Sequence, residues 1–365
     1  MAEARPAQQS SWMPPEWAPH ERTWMAFPTA NDTFGPAGTS SDDPEGDRGE
    51  AERLHRARTA WAEVARTVAR YEPVTLVASL GEGDDARHYL GDAVRGGHGV
   101  DVVERPLDDA WMRDIGPTFV VQDGALAAVD WTFNGWGGQE WAAWEHDQHV
   151  AREVAGLAGV PVRSSGLVNE GGGLHVDGEG TVLLTETVQL DPGRNPGWTR
   201  EQVEAEVHAQ LGTSKAIWLP RGLTRDYGRF GTRGHVDIVA AFLGPGVVAV
   251  HTQPDPAHPD YEVSREVAAL LRASTDARGR TLEVVELLAP TVLEEGGEPT
   301  DWSYVNHYVA NGVVVLCAFD DPADADARDV LAQAYPDRRI ELVDARQIFA
   351  NGGGIHCITQ QQPAV

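Results

Sequence analysis

The sequence holds only two cysteines in 365 residues, Cys317 and Cys357. Two cysteines cannot build a disulfide framework, and their scarcity fits a reducing compartment. No apolar run approaches the roughly 20 residues that span a bilayer, and the N-terminus lacks a basic stretch leading into an apolar one. The expectation is a cytoplasmic protein with no membrane partner. Basic residues are also short, since 29 Lys and Arg face 56 Asp and Glu, leaving a formal charge of −27. That balance disfavours nucleic acid and would attract small cations, while also serving solubility alone. A G-x-G-x-x-G following a strand is missing too, so dinucleotide and phosphate sites have no support and no cofactor is expected.

What is present describes a folded chain. The 41% hydrophobic and 23% charged fractions lie near globular averages. The length alone allows two domains or one large α/β domain. Residues 1–12 read as a flexible tail, and the Gly/Asp/Glu/Pro-rich residues 32–49 as a long surface loop that could serve as a lid. Helical periodicity runs from about Glu50 to Tyr71, with Leu54, Ala57, Trp61, Val64 and Val68 on one face, and PVTLVASL then reads as a strand. Further helices are expected at 199–211, 261–273 and 323–335.

Between the helices a design recurs: a polar cluster, an apolar strand, a Gly turn and a second apolar strand. It appears in DAWMRDIGPTFVVQDGALAAVDW, NEGGGLHVDGEGTVLLTE, RGHVDIVAAFLGPGVVAVH and WSYVNHYVANGVVVLCAF. With APHERTWMAFP near one end and GGGIHCITQQ near the other, about five units follow at roughly 50–70 residue spacing, which is the mark of a repeat architecture. The expected fold is therefore α/β, a pseudo-fivefold propeller of ββαβ-like repeats in one domain spanning 1–365. A ring would bring the polar start of every unit to one central axis.

The two cysteines differ in setting. Cys317 lies inside the apolar run VVVLCAF, where a cysteine acts as a small hydrophobe. Cys357 follows three glycines and precedes Thr359 and the amides Gln360, Gln361 and Gln362, which are expected to surround the thiol with polar groups. It is a candidate nucleophile, and such a thiol needs a base or a cationic neighbour. His235 is the candidate for that role, and strand alternation would put Asp237 on the same face. Asp114 in AWMRDIGP and Glu170 before the GGG turn add carboxylates. Carboxylates around one axis suit a planar cation such as guanidinium, whose donor fork they match. Trp111 could cover that cation's face or serve the core. A metal hydrolase is the rival reading, because His175 with Asp177 and His235 with Asp237 make two H-x-D pairs. A binding protein for guanidino compounds is another.

MPPEWAPHERTWMAFP, DDAWMRDIGPTFVV, WTFNGWGG, EGGGLHVDGEGTVLLTE, RNPGWTREQVE, IWLPRGL, GHVD, SYVNHYVANG and GGGIHCITQQ occur in this order from Met13 to Gln361. In these segments the chain resembles the agmatine deiminase and bacterial peptidylarginine deiminase family. The resemblance implies a metal-free hydrolase in which Cys357 attacks a guanidinium carbon and His235 protonates the departing ammonia, then activates water against a covalent thiouronium. It further implies that Asp114 and Asp237 grip guanidinium nitrogens, that Glu170 is a further acidic site residue, and that Asn306 helps hold the site. Two departures bear on the substrate. Agmatine deiminases carry acidic and amide residues before GHVD and an Asn after it, whereas this chain reads GRFGTRGHVDI, with Arg229, Arg233 and Ile238. They also place Asn between the glycines and IHC, whereas Asn351 precedes the glycines here. Basic residues such as Arg233 would oppose an amine tail and welcome a carboxylate or peptide carbonyl. The implied substrates are thus agmatine or, alternatively, an arginine-like molecule or arginine-containing peptide. Oligomeric state is open, with a homo-oligomer allowed.

Overall fold

The computed structural model describes residues 11–35 and 44–365. Most of the expected tail and the middle of the expected 32–49 loop lie outside these residues. Two expectations at their edges change. Ser11–Trp12 is a strand paired antiparallel with Thr118–Gln122, so the tail reading does not extend through residue 12. The first helix covers Pro44–Val68 rather than starting near Glu50. Proline suits a first helical position because its missing N–H is not needed there.

That helix presents the anticipated face. Ala57, Trp61, Val64 and Val68 are fully buried and Leu54 packs beside them. Burying each of the larger side chains contributes on the order of 1.5–3 kcal/mol. The later helices also match their signals: Arg200–Leu211, Asp260–Ala273 and Ala323–Ala334. Arg200–Leu211 begins with a reciprocal box in which Thr199 and Gln202 satisfy each other's backbone N–H groups, and it stops at Gly212, φ 66°. Such a cap contributes about 1 kcal/mol.

Five separate sheets share one construction, an antiparallel hairpin followed by a helix and a strand parallel to the hairpin's second member. Thr118–Gln122 and Ala125–Thr132 continue through helix Val150–Ala158 to Val162–Val168. Leu174–Val176 and Thr181–Thr185 lead through Arg200–Leu211 to Lys215–Leu219. Ala240–Gly244 and Val247–Thr252 lead through Asp260–Ala273 to Glu283–Leu288. Tyr308–Ala310 and Val313–Ala318 lead through Ala323–Ala334 to Arg339–Asp344. In the fifth sheet the hairpin partners come from opposite ends of the chain. Thr359–Pro363 pairs antiparallel with His20–Ala26, which leads through Pro44–Val68 to Val74–Ala78 and then Val100–Glu104. The fold is mixed α/β, and no sheet among the described residues closes on itself.

The hairpin's first strand is the recurring landmark for function. Just before it lie Asp114 in one unit, Glu170 in the next, then His235 and Asp237, then Asn306, and finally Cys357. One topological position thus supplies a candidate site residue in each of the five units.

Candidate active site

A short helix, Met112–Ile115, carries Asp114 into the interior. Its Oδ1 accepts the Gly172 N–H at 3.0 Å and its Oδ2 accepts the Trp136 indole N–H at 2.9 Å. Glu170 is extended just ahead of the turn Gly171–Gly173 and is wholly buried. Arg194 Nε donates to both of its oxygens, at 3.0 and 3.1 Å, while Arg194 Nη1 donates to Asp191 Oδ2 at 3.0 Å. A charge fork of this kind fixes a buried carboxylate in position.

His235 and Asp237 do not occupy a strand. Residues Val236–Ile238 form a tight helical turn, and the strand starts only at Ala240. The reason is Asp226, whose carboxylate accepts N–H groups from Thr232, Gly234 and His235 and curls the backbone, with Gly234 at φ 116°. Both side chains nevertheless reach one place. His235 Nε2 lies 3.1 Å from Glu170, while its Nδ1 has no hydrogen-bond partner among the described residues and lies 3.8 Å from Asp114.

Gly172 marks the convergence. A Cβ there would sit 2.5 Å from His235 Nδ1, 2.9 Å from Asp114 Oδ1 and 3.1 Å from Asp237 Oδ2. Only a residue without a side chain lets three functional groups meet over its backbone. Cys357 joins them from a turn before Thr359–Pro363. Its sulfur is 3.4 Å from Asp237 Oδ2 and receives the Asn306 amide N–H at 3.3 Å. Asn306 also accepts the His356 backbone N–H at 3.0 Å, which locks the turn that presents the thiol.

The electrostatics are as polarised as the geometry. Burial pushes the Cys357 thiol well above its ordinary value, and the negative charges of Asp237 and Asp114 push it further. Burial likewise lifts the Asp114 carboxyl to about 6, helped by Asp237 and Glu170 against the opposing pull of His235. For His235 burial alone would lower the value, but Asp114, Glu170 and Asp237 outweigh it and raise the imidazole to about 9. Glu170 is taken to about 2, because Arg194 and His235 overcome the cost of its burial. The cluster is therefore negative on its Asp114 and Asp237 side and carries a proton on His235.

The remaining candidates divide. Trp111 is buried, its ring 5.3 Å from Trp61 and 6.2 Å from Phe34, and a Cβ on Gly353 would touch both Trp111 and the Cys357 sulfur at 3.0 Å. It is both a core residue and a wall of the site. Arg233 is partly exposed and its guanidinium is tied to Asp191 at 3.2 Å, on the far side of Arg194. Cys317 is fully buried with its thiol on the Asn306 carbonyl at 3.1 Å, and burial pushes it up to about 12. The glutamines do not surround the thiol as expected. They lie buried on strand Thr359–Pro363, where Gln360 receives Arg113 and Gln362 receives Trp24. Nor do the two H-x-D pairs converge. Asp177 is consumed by its own turn, accepting from Glu179 and Thr181, while His175 faces Glu16.

The sequence assigns no role to Glu16, His356, Arg194, Asp226 or Trp136, although PPEW, GGGIHC, RNPGW and GWGG lie in segments that carry the resemblance. Glu16, His356, Arg194 and Trp136 meet partners more than twenty residues away, and Asp226 acts through a loop that no periodicity reports.

The comparisons with known proteins agree with this geometry. The family model of the Porphyromonas-type peptidyl-arginine deiminases matches residues 12–363. A Streptomyces coelicolor protein provisionally named an agmatine deiminase is 64% identical over 353 residues, covering 96% of this chain and 98% of its own. The agmatine deiminase of Stutzerimonas stutzeri is 39% identical over 382 residues, covering 98% and 97%. A solved agmatine deiminase of Enterococcus faecalis, described as catalysing its reaction, superposes with a TM-score of 0.85 at 31% identity over 100% of this chain and 98% of that one. By sequence and by architecture, the chain belongs to the Porphyromonas-type peptidyl-arginine deiminase family.

Proposed function

We propose that the protein is a deiminase that hydrolyses the guanidinium group of agmatine to a ureido group, giving N-carbamoylputrescine and ammonia. The observation that carries this reading is the meeting of Cys357, His235, Asp114 and Asp237 around the bare backbone of Gly172. The agmatine deiminase names of relatives from several organisms support the substrate.

In this scheme a guanidinium enters between Asp114 and Asp237, each with a carboxylate oxygen facing the cluster. Its positive charge reverses the field that holds the Cys357 thiol protonated, so binding favours the thiolate and the thiol proton leaves to solvent. Sulfur attacks the central carbon, a C–S bond forms, and a C–N bond breaks as His235 gives its proton to the leaving ammonia. The neutral imidazole then takes a proton from water, which attacks the thiouronium carbon, and the C–S bond breaks to release the ureido product. Two moderate barriers replace direct attack of water on a resonance-stabilised cation. Holding carbon and sulfur in line also removes part of the entropic barrier. Asn306 steadies the sulfur, and Trp111 flanks it.

The pH dependence follows from the free site, which is what kcat/KM reports. Asp114 must be ionised to accept guanidinium protons, so kcat/KM is expected to rise with pH through about 6. His235 must hold its proton while the thiol, held above its ordinary value, must lose one, so the climb of kcat/KM with pH is expected to ease as Asp114 ionises near 6 and to stop as His235 loses its proton near 9. Breaks at those two values, measured by ammonia release from agmatine, check both roles. A flat profile across that window would remove Asp114 and His235 from the scheme.

One observation favours a second substrate reading. A cavity of about 70 Å³ is lined by Arg225, Arg229, Phe230, Asp301, Phe349 and Gly352. Gly352 is one residue from Gly353, which borders the thiol. Asp301 presents a buried oxygen with no partner among the described residues, suited to an amine, whereas Arg225 and Arg229 suit a carboxylate. A panel of agmatine, free arginine, guanidinobutyrate and arginine-containing peptides, scored by ammonia and ureido product, separates the two. Agmatine is expected to give the highest kcat/KM; preference for arginine or guanidinobutyrate would transfer the assignment to an acidic guanidino substrate.

The fivefold repetition of hairpin, helix and parallel strand supports a pseudo-fivefold propeller around this site, a single catalytic domain whose first unit is completed by its last strand. A cytoplasmic setting suits such an enzyme. Among the described residues no helix is long and apolar enough to cross a membrane.

A further inference from the structure

Behind the thiol, on the side away from Glu170 and His235, lies a second carboxylate–imidazole chain that the scheme above does not use. His356, the residue before Cys357, has its Nδ1 2.8 Å from Asp237 Oδ2 and its Nε2 2.7 Å from Glu16 Oε1. Carboxylates only accept when ionised, so a ring placed between two of them must donate from both nitrogens and carry a positive charge. All three side chains are almost wholly buried.

Glu16 is itself held on every side. It sits in the turn between strands Ser11–Trp12 and His20–Ala26, and its carbonyl meets His20 Nε2 at 2.9 Å. Arg113 Nη1 approaches its carboxylate at 3.5 Å, and His175 Nε2 at 3.6 Å. The Phe242 N–H donates to His175 Nδ1, which leaves that ring's proton on Nε2, facing Glu16. Glu16, His175 and His356 have the spacing of a cation site. The guanidinium of Arg113 already supplies positive charge there, so the arrangement reads more simply as a carboxylate saturated by donors.

Asp237 shows what the chain achieves. Its Oδ2 faces His356 and the Cys357 sulfur, while its buried Oδ1 has no partner among the described residues. The Oδ2 atom is also the one that lies 3.1 Å from where a Gly172 Cβ would sit, so fixing it fixes the oxygen at the centre of the cluster. We propose that Glu16 is a positioning residue for the reaction, holding His356 charged so that Asp237 stays ionised with its Oδ2 fixed where the Gly172 backbone, the Cys357 sulfur and the substrate guanidinium meet. This inference rests on the deiminase reading of the site.

The ionisable groups around the chain are consistent with it. Asp237 faces His356, His235 and Arg113, which together overcome its burial and hold its carboxyl below the usual range, against the negative Asp114 and the Cys357 thiol. His356 faces Arg113, Glu16 and Asp237, with the His175 ring 6.2 Å away, and is raised despite its burial. Glu16 is held well below the ordinary carboxylate value by His356, His175 and Arg113, again against burial. His307, the next histidine in this neighbourhood, is driven down to about 4 by burial and stays neutral.

The test is Glu16→Gln in the full-length protein, with Glu16→Asp alongside. Neutral Gln cannot hold the charge on His356, so Asp237 becomes easier to protonate. Asp114 sets the acid limb near 6 and Asp237 starts below the usual carboxylate range, so in Glu16→Gln the fall of kcat/KM for agmatine below pH 6 is expected to steepen as Asp237 takes up a second proton, a further loss of about tenfold near pH 4 that recovers at higher pH. Glu16→Asp keeps the charge and should leave the limb as steep as in wild type even if kcat falls. A second readout needs no substrate. Alkylation of Cys357 by iodoacetamide at pH 5, followed by mass spectrometry, should quicken in Glu16→Gln relative to wild type, because an Asp237 that takes up a proton in that range no longer opposes the thiolate. Equal losses at every pH with unchanged alkylation would reduce Glu16 to a structural role and overturn the inference, as would an identical steepening of the limb in both variants. If Glu16→Gln does not fold, His356→Gln is read by the same two measurements. Failure of wild type to release ammonia from any guanidino compound would instead strike the functional reading, and the alkylation comparison would still judge Glu16.

Discussion

Cys357→Ala is expected to abolish ammonia release from agmatine, with a loss of at least roughly 10⁴-fold, since other nucleophile deletions leave only binding and electrostatic stabilisation. The same variant should fold and bind. The substitution removes a sulfur whose contacts are the Asn306 amide and the Asp237 carboxylate, and it leaves Asp114, Asp237, His235 and Glu170 untouched. Because the thiol is held protonated by burial and by those negative neighbours, deleting it removes no charge from the free site. Calorimetry should therefore detect agmatine binding to Cys357→Ala, while a continuous ammonia assay shows none released. Ammonia release persisting within tenfold of wild type would mean that His235 directs water to the carbon without a covalent step.

The second large effect is expected from Glu170→Gln, which combines a loss of activity with a loss of stability. Glu170 orients His235 through Nε2 and takes both contacts from Arg194 Nε. Replacing the orienting carboxylate beside a working imidazole costs roughly 10³- to 10⁴-fold. Without that charge His235 also loses part of what raises it to about 9, so the upper break of kcat/KM should move down toward the ordinary histidine value. Stability should fall by about 3 kcal/mol, the usual result of leaving a buried cation without its partner, with Asp191 retaining part of the hold on Arg194. The sign of the pH effect is fixed by the direction of the shift. A carboxyl taken to about 2 from 4.5 contributes stability that is present above the ordinary value and is lost as pH falls through about 2. Urea unfolding at pH 7 and at pH 3 should show the gap between wild type and variant narrowing on acidification. A variant as stable as wild type at pH 7, with an unmoved upper break, would refute the role given to Glu170.

Much of this molecule could be read from its residues because the signals are local. Hairpins announce themselves through apolar pairs bracketing a Gly turn, and Thr199 with Gln202 and Gly212 delimits a helix from within a span of a few turns. The repeats also point the polar starts of the units, with Asp114, Glu170, His235, Asp237 and Cys357, toward one axis, while Asn306 enters only through the family resemblance. What escaped was non-local. The curl at His235 depends on Asp226, nine residues earlier, and no pattern in GRFGTRGHVDI reports that carboxylate's grip on three N–H groups. Glu16 reaches a histidine 340 positions away, and no periodicity encodes such a pair. The glutamine run misleads because its closeness to Cys357 in sequence suggests amides around the thiol, whereas the strand it forms carries them away to Arg113 and Trp24.

The pairing of Thr359–Pro363 with His20–Ala26 also bears on when chemistry becomes available. A ribosome emitting this polypeptide completes four of the five hairpins before the sulfur-bearing segment exists. The final strand must then find a neighbour synthesised more than three hundred residues before it, a long loop closure that belongs to the slow end of folding. Under the proposed Cys357 chemistry, turnover is expected to wait until Thr359–Pro363 has paired with His20–Ala26.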